Sequence, residues 1–268
     1  MAALRFKQVD VFTDQPFLGN PVAVVIGADG LDTAQMQRIA CWTNLSETTF
    51  LLRPRSKDAD YLLRIFTPRQ ELPFAGHPTI GSAHAALEAG FISRKSRLTQ
   101  ECNAGLIELS VEGDGRIFLR GPQAKCQQLE KLIPSIPLAP ASPVLKIDVG
   151  PVWIVGEMTD ARALAEWTTS LQATGITVFA PSGESSCAIH VRSFAPVHGI
   201  PEDPVCGSGN LSVAVFLREN NLLKRFGSEY VARQGMQLGR DGRVSVRLKA
   251  SIEIGGHALT CVDGTVQC

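Results

Sequence analysis

The chain has 268 residues, 44% of them hydrophobic and 19% charged, which suffices for a buried core and lies outside the profile of a disordered chain. Its 26 Lys and Arg balance 26 Asp and Glu, so no global field draws it to nucleic acid or to an acidic membrane surface. Apolar runs such as Val22–Ile26 are strand-length, far below the ~20 residues of a membrane span, and the N-terminal segment has no apolar signal core, so the expectation is a cytoplasmic protein.

Taken in chain order, residues 6–13 (FKQVDVFT) read as a strand, Gln15-Pro16 and Gly19-Asn20-Pro21 as turns, and the β-branched run 22–26 as a second strand. Asp32 and Gln35 have the spacing of a capping box. Met36, Ile39, Ala40 and Thr43 then recur at helical spacing as far as Asn44. Residues 45–52 (LSETTFLL) and 61–67 read as strands. Pro78 opens an alanine-rich helix over 79–89 that Gly90 ends. Residues 106–112 and 116–120 form a hairpin about Gly113-Asp114-Gly115.

Prolines 134, 137, 140 and 143 fall every third residue, the spacing of an extended linker. The boundary is placed there, giving a first lobe over 1–130 and a second over 144–268, with the last strand free to return to the first lobe. The second half repeats the outline of the first, with strands at 152–157, 177–181 and 187–194, a helix from Gly207, and strands at 244–249, 252–256 and 258–262. Hairpins outnumber βαβ units, which favours α+β lobes, each a sheet wrapped around one helix.

The repeat is visible in the residues. A shift of 131 lays Glu71-Leu-Pro73-Phe-Ala-Gly76-His77-Pro78 over Glu202-Asp203-Pro204-Val-Cys206-Gly207-Ser208-Gly209, and Ala83 over Ala214. Upstream, Phe66-Thr-Pro68 matches Phe194-Ala-Pro196 with three extra residues in the second copy. Each half thus supplies a helix start carrying a glycine. First-turn amides lack partners inside the helix, and the dipole adds about half a positive charge there, so such starts bind carboxylates or phosphates.

Glu47, among leucines, would have a raised pKa if buried and would then suit acid–base work near neutral pH; otherwise it is an exposed strand-edge glutamate. His77 at a helix start either meets a substrate or caps a loop. Asp203 either forms a turn before Pro204 or binds substrate. Cys206, just before a helix start, is expected to have a lowered thiol pKa, the alternative being a small buried thiol. The seven cysteines include no CxxC pair, and His84, His190, His198 and His257 share no ligand spacing, so neither a disulfide framework nor a metal site is argued. There is no P-loop and no GxGxxG.

Taken together, Asn20-Pro21-Val-Ala-Val, Leu45-Ser46-Glu47-Thr-Thr-Phe50, Ile65-Phe-Thr-Pro68, the Glu71–Pro78 block and the Glu202–Gly209 block resemble the phenazine biosynthesis PhzF-like family, in order over residues 5–245. The resemblance implies a diaminopimelate-epimerase-like fold of two similar lobes, each a strongly curved sheet around a central helix, with the active site between them. It also implies a homodimer, no cofactor, and an isomerase that moves a proton on a small anionic metabolite. By the same resemblance Glu47 is the proton-shuttling residue, and Ser46, Gly76, His77, Asp203, Gly207 and Ser208 bind substrate. Cys206 departs from the threonine common in such sequences. It matches the catalytic cysteine of racemases, but the repeat puts Ala75 where their second cysteine would stand. Cys206 is therefore kept as a possible second acid/base. A Cys-dependent racemase or epimerase and a non-catalytic metabolite-binding protein are the alternatives.

Overall fold

A computed structural model describes residues 3–129, 136–140, 142–168, 175–196 and 200–268. Strands β1 (Ala3–Val11) and β2 (Asn20–Ile26) pair antiparallel, helix α1 (Thr33–Thr43) follows, and β3 (Thr48–Leu52) runs parallel to β2. Next, β4 (Tyr61–Phe66) returns antiparallel, and short β5 (Glu71–Leu72) leads into α2 (Gly76–Glu88). From there β6 (Arg97–Cys102) lies parallel to β4, and β7 (Gly105–Val111) and β8 (Ile117–Arg120) follow antiparallel.

The chain then repeats this order. After β9 (Lys125–Gln128) come β10 (Val144–Asp148), β11 (Val152–Glu157), α3 (Ala161–Glu166), β12 (Ile176–Pro181), β13 (Ile189–Ala195) and β14 (Ile200–Asp203). They are followed by α4 (Gly207–Glu219), α5 (Leu223–Phe226), β15 (Glu229–Gln234), β16 (Gly242–Leu248), β17 (Ile252–Gly256) and β18 (Ala258–Gln267). The pairings repeat too: β10 with β11 antiparallel, β11 with β12 parallel, β12 with β13 antiparallel, and β13 with β15 parallel.

Two units result, Met1–Leu119 with Gly255–Cys268, and Arg120–Ile254. This division differs from a boundary in the proline segment because β9 pairs with β10 and so belongs to the second unit. The last strand, left free to return to the first lobe, does pair along the whole of β1. The prolines do not form a free spacer either. Leu138 bridges to Met158, and the Ala139 amide donates to the Glu157 carbonyl at 2.8 Å, fastening this stretch to the end of β11. Pro134 and His198 lie outside the described residues.

Each unit is built about one helix. Nine of the 13 residues of α2 are buried and ten of the 13 of α4, so neither helix has an exposed face and both are central. α2 packs on β1, β2, β3, β4 and β18; α4 packs on β10, β11, β12, β13 and β16. Gly81 shows how closely α2 approaches its sheet, since an added Cβ would lie 2.5 Å from Val22 Cγ1 and 2.8 Å from Val11 Cγ2. The smaller helices α1 and α3 begin alike. Asp32 accepts from the Gln35 amide in a full capping box, and Asp160 accepts from the Ala163 amide.

Both units also carry the same ion pair, half-buried in the first and more deeply set in the second. Arg64 on β4 makes a two-pronged contact with Glu71, Nε to Oε1 at 2.8 Å and Nη2 to Oε2 at 2.7 Å. Arg192 on β13 does the same with Glu202, both bonds at 2.8 Å. Each guanidinium lies over the aromatic ring two residues later, Phe66 at 5.1 Å and Phe194 at 4.9 Å. These pairs fix the glutamate that opens each Glu-x-Pro-x-x-Gly segment, and therefore the chain entering each central helix. Among the described residues no helix is long and apolar enough to cross a membrane.

Candidate functional site

In the first unit, Asn44 ends α1 in the left-handed region with φ 54°, and the chain turns before β3 begins at Thr48. Glu47 therefore sits in the turn, not within a strand running from Leu45, and strand alternation does not set its direction. What orients it is the anchoring on either side. The Glu47 carbonyl accepts from the Ala23 amide at 3.4 Å, and Thr49 Oγ1 donates to the Ala23 carbonyl while lying 2.8 Å from Ser82 Oγ on α2.

The α2 helix begins at Gly76, two residues before Pro78. Its N-cap, Ala75, is extended and offers no side-chain acceptor, and Pro78 in the first turn has no amide hydrogen. The amides of the first turn point out of the helix start, where the dipole is positive. His77 is 7% exposed, and its Nε2 lies 3.4 Å from Glu47 Oε2. The Glu47 side chain is 12% exposed. Burial pushes its carboxyl up to about 7, against the opposing effect of the Ser46 hydroxyl, which donates to it. A group poised there populates both protonation states near neutral pH. Ser46, Glu47, Gly76 and His77 are thus gathered at the start of α2.

The second unit gathers Asp203, Cys206, Gly207 and Ser208 at the start of α4. Asp203 Oδ1 accepts from the Val205 amide at 3.1 Å, the turn its neighbour Pro204 suggested. The Gln234 side-chain amide clamps this turn at both ends. It donates to the Asp203 carbonyl at 3.0 Å and accepts from the Cys206 amide at 3.2 Å and from Asn210 Nδ2 at 2.8 Å. Trp153 Nε1 donates to Ser208 Oγ at 3.1 Å. Because an indole N–H can only donate, the Ser208 hydroxyl keeps its own hydrogen to give elsewhere, to a thiol sulfur or to an acceptor on a ligand.

The expectation of a lowered Cys206 thiol pKa is overturned. Cys206 is 5% exposed, and burial raises the thiol well above its ordinary value, with the Asp203 carboxylate adding to the rise. Hydrogen bonds from Ser208 and from the Gly209 amide oppose this and lose. The sulfur itself caps the helix, accepting from the Gly209 amide at 3.3 Å. As a possible second acid/base, Cys206 would act from the neutral thiol.

The two helix starts are not equivalent. Register with the repeat lays Thr49 over Thr177 and hence Glu47 over Gly175. A Cβ at Gly175 would lie 2.8 Å from a Trp153 ring carbon and from the Val152 carbonyl oxygen, so an indole fills the space there and no carboxylate is available. Trp153, Gln234 and the two arginines escaped the sequence reading. The signal for the arginines was present, since Arg64-Ile-Phe66 and Arg192-Ser-Phe194 extend the recognised Phe-x-Pro match by two residues. Nothing in the sequence marked Trp153 or Gln234, which act through contacts across many residues.

Residues 9–133 and 143–264 match the phenazine biosynthesis-like protein family, PhzC-PhzF. A curated relative from Schizosaccharomyces pombe, "Antisense-enhancing sequence 1", is 40% identical over 98% of this chain and 99% of its own length. The trans-2,3-dihydro-3-hydroxyanthranilate isomerase of Pseudomonas aeruginosa is 31% identical over 97% of this chain and 98% of its own. Among solved structures, the Bacillus anthracis phenazine biosynthesis protein of the PhzF family superposes with a TM-score of 0.88 at 26% identity, covering 100% of both chains. With matched segments running through both units, the chain belongs to the phenazine biosynthesis-like family and has its two-unit, diaminopimelate-epimerase-like α+β fold.

Proposed function

We propose that this isomerase moves a proton between two carbons of a small carboxylate-bearing metabolite, with Glu47 as the group that takes the proton and returns it. The observation that carries the reading is the Glu47 carboxyl itself, buried, poised at about 7 and held 3.4 Å from His77 at a helix start. As carboxylate, Glu47 removes a proton from a carbon alpha or vinylogous to an acceptor group. As carboxylic acid, it delivers the same proton to a second carbon, and no redox partner is needed. The α2 start, with Gly76, His77 and Ser46, binds the substrate anion and stabilises charge developing on it. Asp203, Gly207 and Ser208 are assigned to binding on the strength of the family resemblance, with Ser208 acting as donor.

The substrate class follows from the same features. A carboxylate suits the helix start, and an amine or hydroxyl suits Asp203. The P. aeruginosa relative is named for an isomerase of trans-2,3-dihydro-3-hydroxyanthranilate, which makes that compound the first to test. A thiol racemase is less well supported, because Cys206 is held as neutral thiol and the matching position is Ala75. The homodimer expected from the family resemblance is read by light scattering on the purified chain.

The test is deuterium incorporation in D₂O followed by NMR, with trans-2,3-dihydro-3-hydroxyanthranilate and a panel of small amino and hydroxy acids. Wild type is expected to exchange or isomerise a compound, and Glu47→Gln to lose that rate by about 10²–10⁴-fold while still binding. Full activity in Glu47→Gln would defeat the mechanism. Binding by wild type without any exchange would identify a metabolite-binding protein instead, and a Cys206→Ala protein of normal rate would dismiss the racemase.

A further inference from the structure

Away from both helix starts, the connection between β12 and β13 brings three different ligand types together. Glu184, Cys187 and His190 stand at successive three-residue intervals, and one ligand atom from each lies within 4.8 Å of the other two. His190 Nε2 is 3.0 Å from Glu184 Oε1, and Cys187 Sγ is 3.6 Å from Glu184 Oε2. A tetrahedral zinc ion, with nitrogen and oxygen at about 2.0–2.1 Å and sulfur at about 2.3 Å, sets its ligand atoms roughly 3.3–3.6 Å apart. Glu184 thus stands near that spacing from both His190 and Cys187, with all three ligand atoms within 4.8 Å of one another.

The loop is built to hold them there. The Ser182 hydroxyl donates to the Cys187 carbonyl and accepts from the Glu184 amide at 3.0 Å. The Ser182 amide donates to the Ala188 carbonyl at 3.0 Å, and Ala188 is tied to Val231 at 2.9 Å. Gly183, at φ 72°, makes the turn in a conformation that side chains resist. His190 is fixed inside β13, between Ala180 of β12 and Arg233 of β15. Cys187 and His190 are buried, while Glu184 reaches solvent and leaves an approach for an ion.

The charges around the cluster define both its competitor and its support. Arg233 Nη1 contacts both Glu184 oxygens, at 2.9 and 3.2 Å, and so competes with a cation for the carboxylate. Arg233 is itself held by Asp241, which also takes Arg243, and Arg243 reaches Ser186 at 3.3 Å. Two carboxylates thus face two guanidinium groups, and the cluster has no net charge to repel a divalent ion. With Asp241 retaining Arg233, Glu184 can release the arginine and turn its carboxylate to a metal.

We propose that Glu184, Cys187 and His190 form a binding site for a divalent cation of the zinc class. The thiolate, imidazole and carboxylate set selects a borderline-soft ion over calcium or magnesium. Three protein ligands leave a fourth position for water or an exogenous ligand. Binding replaces the thiol proton, which passes to the buffer, and the His190–Glu184 hydrogen bond gives way to two metal bonds. His190 shares no ligand spacing with the other histidines; the Glu-x-x-Cys-x-x-His interval is the mark it leaves in the sequence.

Cobalt(II) added to chelator-treated protein tests this directly, because thiolate ligation gives a near-ultraviolet charge-transfer band and tetrahedral geometry gives intense visible bands. Wild type and Cys41→Ser are expected to show both bands, saturating at one equivalent and abolished by zinc. Cys187→Ser is expected to lose the charge-transfer band, and His190→Ala to bind more weakly by tenfold or more. Arg233→Met, which removes the competing cation, is expected to bind more tightly, a gain that damage to the fold cannot mimic. Absence of the bands in wild type at one equivalent, their persistence in Cys187→Ser, or weaker binding in Arg233→Met would overturn the proposal.

Discussion

Glu47 shows at the scale of one residue how function and stability pull apart. Its carboxyl ionises near pH 4.5 in an ordinary setting and at about 7 in the folded chain. Folding therefore favours the protonated form. The resulting penalty is absent below about pH 4.5, grows between there and 7, and is complete above 7, at about 3 kcal/mol for that separation. Glu47→Gln should thus melt higher than wild type at pH 8, with the advantage vanishing near pH 4, as thermal unfolding across pH will show. An equal difference at both pH values would mean that burial does not perturb this carboxyl. Cys206 makes the opposite prediction from its helix-start position. Iodoacetamide at pH 8 should label exposed Cys41 quickly and spare Cys206 until the chain unfolds, as peptide mass spectrometry can read. The sequence marked both residues and the rise expected for a buried Glu47, but it set Glu47 in a strand and shifted the Cys206 thiol in the wrong direction. Glu47 owes its burial to a turn and to α2, and desolvation at Cys206 outweighs the helix dipole.

The elements were legible where local pattern governs them. The Asp32 capping box, the hairpin at Gly113–Gly115 and the close of α2 before Gly90 all rest on neighbouring residues, and each is present. The start of α2 was misplaced by two residues because proline was assigned to the first position, whereas Gly76 and His77 precede it in the helix. Burial on every side also left α2 and α4 without the amphipathic period by which helices are usually found. That close packing makes Gly81→Ala costly. Its methyl group would press on Val22 and Val11, and the overpacking should outweigh the gain in helix propensity by roughly 1–2 kcal/mol in chemical denaturation. The two arginine–glutamate pairs can be ranked in the same way. Arg192 and Glu202 are 4% and 10% exposed, against 16% and 22% for Arg64 and Glu71. Arg192 also donates to the Leu164, Ala165 and Trp167 carbonyls at the end of α3. Glu202→Gln should therefore cost about 3–5 kcal/mol, and Glu71→Gln measurably less. Equal costs would show that burial does not set the worth of these pairs.

At the scale of the whole molecule, the repeat was legible in Glu71–Pro78 and Glu202–Gly209, and the repeated pairings run well beyond those blocks. What the sequence left open was the return of the last strand to the first unit. β1 finds its partner β18 at the far end of the chain, through nine residue pairs and a bulge after Gln8. Lys7, almost fully buried on β1, bonds to Asp263 of β18 at 2.6 Å and to Glu88 of α2 at 2.9 Å. Such contacts leave no local trace in either strand. Removing residues 258–268 should accordingly unfold the first unit's edge. Amide hydrogens of β1 that face β18 are expected to lose their protection from exchange, while those of β13 and β15 in the second unit keep theirs. Undiminished protection of β1 in the truncated chain would contradict the pairing.

The account turns on a carboxyl that stays half-protonated near neutral pH, and this can be read without knowing the substrate. With ¹³Cδ-labelled glutamate, the resonance absent from Glu47→Gln identifies Glu47, and its shift against pH gives the ionisation midpoint. A midpoint near 7 is predicted by its burial beside His77. A midpoint near 4.5 would mean a solvated carboxylate, permanently ionised at neutral pH, and would remove the acid–base role on which the proposed reaction depends.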